Sequence, residues 1–152
     1  MYLNHDFAPA TRRAPLPRIR DDRPMTPGGY IRLRRISTGL SQHDVAQRMA
    51  ALCIHLNERK AGQRMPDLVA DMLAELRRIE QPETVAERPE TIARLAAVLP
   101  IDADVYWQLA DYAPDLHPRV CRGCGTSAHD HDAPRWATRT SCERCDPAGD
   151  GL

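Results

Sequence analysis

The sequence predicts a mainly α-helical fold of five helices, followed by a small cysteine-rich module near the C-terminal end. Apolar residues recur at helical spacing between residues 26 and 113, and aromatic residues make up only 5% of the chain. A core of Leu, Val, Ile, Ala and Met favours helices over a β-sandwich. Four of the five cysteines lie beyond residue 120, in two Cys-x-x-Cys pairs.

Residues 1–25 are predicted to form a disordered or extended arm. They contain four prolines, many charges and few large apolar side chains, so they cannot bury enough surface to fold alone. Eight arginines and three aspartates give residues 1–40 a net charge of +5, whereas residues 41–116 carry −5. A basic arm ahead of an acidic body can bind a polyanion, and a solvated tail accounts for the same composition.

The first helix is predicted to begin at Pro27 and to run to about Thr38. Thr26 can cap its N-terminus, and Pro27 suits the first helical position because an N–H there needs no helical partner. Gly39 follows the last helical residue and ends the helix.

The second helix is predicted to begin after Ser41, which can cap it, and to end near Asn57. Asp44, three residues on, completes a capping box in place of the usual glutamate. One apolar stripe at helical spacing supports this helix. Its members are Val45, Met49, Leu52 and Leu56.

Three further helices follow. Pro66 begins the third after a polar loop, and Gln81-Pro82 ends it. The fourth ends at Pro100, and Asp102 can cap the fifth. Residues 114–118 are predicted as a linker, 119–147 as the cysteine-rich module and 148–152 as a frayed tail. The apolar stripes are Leu68, Met72, Leu76 and Ile79 in the third helix, Ile92, Leu95, Ala96 and Leu99 in the fourth, and Val105, Tyr106 and Leu109 in the fifth.

The spacing of the four cysteines predicts a structural zinc site. Cys121-x2-Cys124 is followed by seventeen residues and then by Cys142-x2-Cys145. Each pair can offer two thiolates from one tight turn, and two pairs complete a tetrahedron. Four thiolates leave no open position for catalysis, and metal binding would supply most of the module's folding free energy. A redox dithiol is the alternative, but it normally accompanies a βαβ pattern, which the sequence lacks.

Other residues near these cysteines have simpler interpretations. His117, His129 and His131 could each replace a cysteine ligand, but loop positions facing solvent account for them. Trp136 is expected to pack over the site. Cys53, on the stripe of the second helix, is expected to be a small buried apolar residue.

Residues 27–112 resemble the lambda-repressor-like (Cro/repressor, XRE) helix-turn-helix family. Residues 30–46 (YIRLRRISTGLSQHDVA) are similar to its first helix, its Gly-Leu-Ser-Gln corner and the start of its second helix. Residues 78–80 resemble the end of its recognition helix, and residues 91–102 resemble its fourth helix and the following turn. The C-terminal segment is similar to small zinc-ribbon modules attached to such domains in bacterial and phage proteins.

The resemblance implies a five-helix bundle whose third helix enters the major groove of double-stranded DNA. It places Ser41 and Gln42 at the DNA backbone near the second helix. Arg32 and Arg35 become candidates for phosphate contacts, with a pair between Arg35 and Glu80 as the alternative for Arg35. In the recognition helix, the candidates are Arg77 and Arg78.

The chain departs from the family in two respects. Ser41 and Glu80 are 39 residues apart, where the family has about 20, so the region of helices 2 and 3 is predicted to be extended. The third helix also carries Asp67, Asp71 and Glu75 near the face expected in the groove, and carboxylates repel phosphate. The alternative function is therefore a helix-turn-helix scaffold that binds a host transcription or DNA-processing protein.

Taken together, the sequence indicates a cytoplasmic DNA-binding transcriptional regulator, of phage or prophage origin, with a structural zinc ion. A homodimer and a protein partner are compatible with it. No Gly-rich phosphate loop, nucleophile elbow or His-Glu-x-x-His motif occurs, so no enzymatic activity is predicted. The chain has no run of about 18 apolar residues, so no membrane span is expected.

Overall fold

The computed structural model describes residues 23–146, and in that range it contains five α-helices and no β-strand. Two isolated antiparallel bridges lie in the cysteine-rich part. The predicted mainly helical fold is thus confirmed. The helices are α1 (Pro27–Ser37), α2 (Gln42–His55), α3 (Met65–Ile79), α4 (Pro89–Val98) and α5 (Ala103–Asp111), and a short 3-10 helix follows at Pro114–Leu116.

Most of the predicted arm and the frayed tail lie outside the described residues. None of the helices in residues 23–146 combines the length and the hydropathy that a membrane-spanning helix requires.

Side-chain caps determine where three of the helices begin. The Thr26 hydroxyl accepts a hydrogen bond from the Gly29 amide at 3.0 Å. Ser41 and Asp44 form a reciprocal capping box, with N···O distances of 3.1 and 2.8 Å. Asp102 caps α5. Each predicted cap is confirmed, because these bonds satisfy amides that have no partner within the helix.

Helices α2 and α3 run antiparallel along their length. Gln42, at the start of α2, contacts Glu80, directly after α3. Toward the other end, Cys53 of α2 packs against Leu68 of α3 in a small buried cluster, as expected of a small apolar residue. The two helices have 14 and 15 residues. The extended region therefore consists of a long helical hairpin whose connection spans residues 56–64.

The main core is formed by all five helices of the described range around two fully buried tyrosines, and α2 contributes Val45 and Met49 to it. The hydroxyl of Tyr30 accepts a hydrogen bond from the Asp102 amide, and that of Tyr106 accepts one from the Ala86 amide. Burial raises the pKa of Tyr30 to about 12. Val120, beyond the predicted linker, belongs to this same core. The cysteine-rich module is therefore packed against the helical body.

Candidate metal centre

The four cysteines of the two pairs converge on one point. The Sγ atoms of Cys121, Cys124, Cys142 and Cys145 all lie within 4.8 Å of one another, and none forms a disulfide. The Cys124 and Cys142 sulfurs are 3.7 Å apart. A tetrahedron with metal–sulfur bonds of about 2.3 Å has sulfur–sulfur edges of about 3.8 Å. The donor set therefore fits a single metal ion.

Two tight turns bring the cysteines together. The bridge between Val120 and Ser127 closes the first turn, and the bridge between Trp136 and Cys142 precedes the second. The Arg122 amide donates to the Thr140 carbonyl at 2.8 Å and joins the two halves. These local contacts explain why two Cys-x-x-Cys pairs separated by seventeen residues can share one centre.

Backbone amides point at one of the sulfurs. The amides of Gly123 and Cys142 lie 3.4 and 3.3 Å from Cys121 Sγ and donate to it. A Cβ atom on Gly123 would lie 2.7 Å from both Cβ and Sγ of Cys145, so only glycine fits between the pairs.

Cys124 is the most acidic of the thiols whose pKa shifts. Burial alone raises the pKa of the Cys124 thiol, but hydrogen bonds from the Thr126 hydroxyl and amide, together with those of the Cys121 and Cys145 thiols, outweigh this effect and lower it to about 7. Burial raises the pKa of Cys142. The two thiols therefore differ in the direction in which their surroundings shift the pKa.

A buried arginine of α1 links this centre to the helical body. Arg34 Nη1 donates to Thr126 Oγ1 at 3.1 Å, and Arg34 Nη2 lies 2.9 Å from Asp130 Oδ2. Its Nε donates to the Pro100 carbonyl, between α4 and α5. Thr126 Oγ1 lies 3.1 Å from Cys124 Sγ. Because Thr126 accepts from Arg34, its own hydroxyl hydrogen is available to that sulfur.

The remaining predicted neighbours of the site occupy other positions. His129 and His131 are exposed, and the metal-binding group contains neither of them nor His117. Trp136 lies beneath Arg119, whose guanidinium carbon is 4.3 Å from the ring centroid. Trp136 thus combines a bridge to Cys142 with a cation–π contact.

Four of the six predicted DNA-binding residues lie together elsewhere on the body. They line a shallow concavity of about 390 Å³ that also contains Glu80, and they are Arg32, Arg35, Ser41 and Gln42. Arg35 donates to both carboxylate oxygens of Glu80, at 2.6 and 2.9 Å, and Gln42 donates to it at 2.7 Å. The pair between Arg35 and Glu80 anticipated as an alternative is therefore present.

Neighbouring arginines of α3 have different surroundings. Arg78 forms ion pairs with Glu75 at 2.9 Å and with Glu87 at 3.4 Å. Arg77 is exposed and, within residues 23–146, pairs with no carboxylate. Near the start of α3, Asp67 pairs with Arg64. The acidic residues of α3 are thus partly neutralised by contacts within the chain.

Sequence reasoning missed the residues that join the metal centre to the body. Arg34 was visible only as one arginine of a basic helix, although it lies one helical turn after the buried Tyr30 and so shares its face. Thr126 and Asp130 carry no recognisable signal.

Comparison of this chain with known protein families, curated proteins and solved structures gives no match.

Proposed function

We propose that this protein is a DNA-binding transcriptional regulator in which a structural Zn²⁺ ion organises the C-terminal module. Four cysteine sulfurs within 4.8 Å of one another suit zinc, which binds in closed Cys₄ sites without redox chemistry. Metal analysis of the purified chain tests this part. One equivalent of zinc per chain is expected, and less than half an equivalent after a Cys121→Ser exchange.

One observation supports DNA binding above the others. The concavity lined by Arg32, Ser41 and Gln42 places the exposed Arg32 beside the start of α2, where the Ser41 amide donates to Asp44 and the Gln42 side chain donates to Glu80. Helix N-termini and arginines are among the groups that contact DNA phosphates. Arg32 is exposed and, among residues 23–146, has no carboxylate partner. It is therefore available to a phosphate.

The two adjacent arginines of α3 differ in their contacts, so an alanine variant of one can test DNA binding and an alanine variant of the other can serve as its control. Arg77 is available to a ligand, whereas Glu75 and Glu87 hold Arg78. Both alanine exchanges remove one positive charge, so they change the long-range field equally. We expect Arg77→Ala to weaken DNA binding about tenfold and Arg78→Ala to weaken it much less.

A second basic surface could add phosphate contacts. A groove of about 750 Å³ lies between the base of the arm and the cysteine-rich module, and no carboxylate lines it. Its basic side chains are His117, Arg119, Arg122 and Arg139. Arg119 is held by the carbonyls of residues 138 and 139, whereas Arg139 is exposed. Arg139→Ala is expected to weaken binding equally for all sequences and to reduce the salt slope by about 1.

Selection from random duplex DNA tests the proposal directly. Zinc-loaded protein at about 150 mM salt should enrich one motif, and Arg77→Ala should weaken or change it. Enrichment that is lost equally in the Arg77→Ala and Arg78→Ala variants would refute the proposed interface. Absence of any binding would refute a DNA-binding function.

The end of the α2–α3 hairpin favours a second candidate, a protein-interaction adaptor. Ile54, Leu56 and Met65 are 40%, 50% and 38% exposed at that end, where apolar side chains are available to a partner. A photoreactive residue at position 56 should then cross-link one defined protein in cells. The same residue at position 36, where Ile36 is 52% exposed on α1, serves as the control. Equal cross-linking from both positions would count against an adaptor.

A further inference from the structure

We propose that Arg34 couples metal occupancy at the four-cysteine centre to the stability of the helical body, so that module and helices unfold as one cooperative unit. This inference rests on the proposed metal binding and is independent of DNA binding. Arg34 acts as a positioning residue, because it reaches the metal ligand Cys124 only through Thr126.

On the side of the body, Arg34 is held within the packed helices. Its residue is 9% exposed and lies on the buried face of α1, one turn after Tyr30. It donates to the Pro100 carbonyl, which lies where α4 gives way to α5. Two residues further on, the Asp102 amide donates to Tyr30. One guanidinium therefore ties α1 to the connection between two other core helices.

On the side of the module, Arg34 contacts the loop that carries the first cysteine pair. Thr126 Oγ1 lies between Arg34 Nη1 and Cys124 Sγ, at 3.1 Å from each. The Thr126 carbonyl accepts from the Cys121 amide at 2.8 Å. Gly125 has a φ of 76°, and a Cβ atom there would lie 2.9 Å from Arg34 Cδ. The loop that follows Cys124 therefore packs closely against the Arg34 side chain.

Loss of the metal should destabilise α1 through these contacts. Without a metal ion to hold four thiolates together, the short and polar ligand loop has little apolar burial to maintain its shape. Displacement of Thr126 and Asp130 would leave a buried guanidinium without two of its partners, which is costly. Because such coupling is reciprocal, a stable body should also raise the affinity of the centre for metal.

The test measures helix unfolding with and without metal in the full chain. Circular dichroism at 222 nm reports the helical body, since all five α-helices of the described range lie within residues 27–111. With free Zn²⁺ about 1,000 times above its Kd, cooperative unfolding predicts a Tm about 10 °C higher than in excess EDTA. In Arg34→Met this difference should fall to less than half. In Arg32→Met, a matched change on the exposed face of α1, it should persist.

A second pair of variants keeps the proposal testable if Arg34→Met fails to fold. Thr126→Val removes the hydroxyl but preserves the shape of the side chain, and Thr126→Ser retains the hydroxyl. Competition with a chromogenic chelator should show Zn²⁺ affinity reduced about tenfold or more by Thr126→Val and restored toward wild type by Thr126→Ser. Unchanged Zn²⁺ affinity in Thr126→Val would overturn the connection from Arg34 to the metal centre through Thr126.

The outcomes separate this inference from the proposed function. If the chain binds one equivalent of Zn²⁺ but EDTA does not change the Tm of the helices, the coupling is overturned and the metal centre stands. An Arg34→Met protein that retains the full Zn²⁺-dependent Tm shift would assign the coupling to other contacts and overturn the role of Arg34. A chain that binds no Zn²⁺ would overturn the metal centre and the coupling together.

Discussion

Exchange of Glu80 for glutamine should destabilise the protein strongly. The side chains of Glu80 and Arg35 are 3% and 11% exposed, and they form two hydrogen bonds across 45 positions of sequence. Glu80→Gln keeps the size of the side chain and removes its charge. Arg35 then remains largely buried without a carboxylate.

The magnitude follows from the contacts that remain. Breaking a buried ion pair by removing one partner typically costs about 3–5 kcal/mol. Arg35 keeps its hydrogen bond to the Leu40 carbonyl, and glutamine keeps one acceptor oxygen, so the lower end applies. A loss of about 3 kcal/mol corresponds to a Tm decrease of about 6–12 °C for a chain of this size.

Urea and thermal unfolding, followed at 222 nm with saturating Zn²⁺, would measure this loss. Asp67→Asn is the matched control, because its pair with Arg64 has side-chain exposures of 51% and 79% and should contribute less than about 1 kcal/mol. The combined Arg35→Met and Glu80→Leu exchange should recover part of the loss, since no charge is then left unpaired. A Glu80→Gln protein no less stable than Asp67→Asn would refute the reasoning.

Three other predictions concern the metal centre, the core and pH. Gly123→Ala should lower Zn²⁺ affinity at least tenfold in chelator competition, because the added methyl group would lie 2.7 Å from Cys145 Sγ. Leu76→Ala should cost about 3 kcal/mol in urea unfolding, whereas Leu116→Ala, at a side chain 65% exposed, should cost less than about 0.5 kcal/mol. Tyr30, whose folded pKa of about 12 exceeds its usual value of 10.0, should contribute stability that is complete below pH 10 and lost as the pH rises toward 12. Tyr30→Phe should abolish that part of the pH dependence of unfolding.

Helix positions were largely predictable because their causes are local. Thr26, Ser41 and Asp102 each cap a helix through hydrogen bonds to amides two or three residues away. The predicted ends of the helices differ from the observed ends by one or two residues. The second helix was expected to continue to Asn57 but ends at His55, and Asn57 has a φ of 56°, outside the right-handed helical region.

For the candidate site too, the features with local causes were predictable from the sequence and those set by packing were not. Convergence of the four cysteines was predictable, since each Cys-x-x-Cys pair presents two sulfurs from one turn. The different surroundings of Arg77 and Arg78 were not, because adjacent residues on a helix point about 100° apart and only packing decides which meets Glu87. The candidate DNA-binding residues therefore remain predictions. The fold adds which of them are already paired within the chain, as Arg78 is with Glu75 and Glu87.

The sequence by itself determined what depends on neighbours along the chain: the helical class, the caps, the metal-binding spacing and the apolar stripes, except that Leu56 lies beyond the end of α2 and is 50% exposed. Tertiary structure alone decided how Arg34 spans 92 positions to Thr126 and how Val120 joins the core of the helical body. The physical reason is the range of the interactions. Caps and turns form within a few residues, whereas buried charges and docked surfaces find their partners only after the helices have packed.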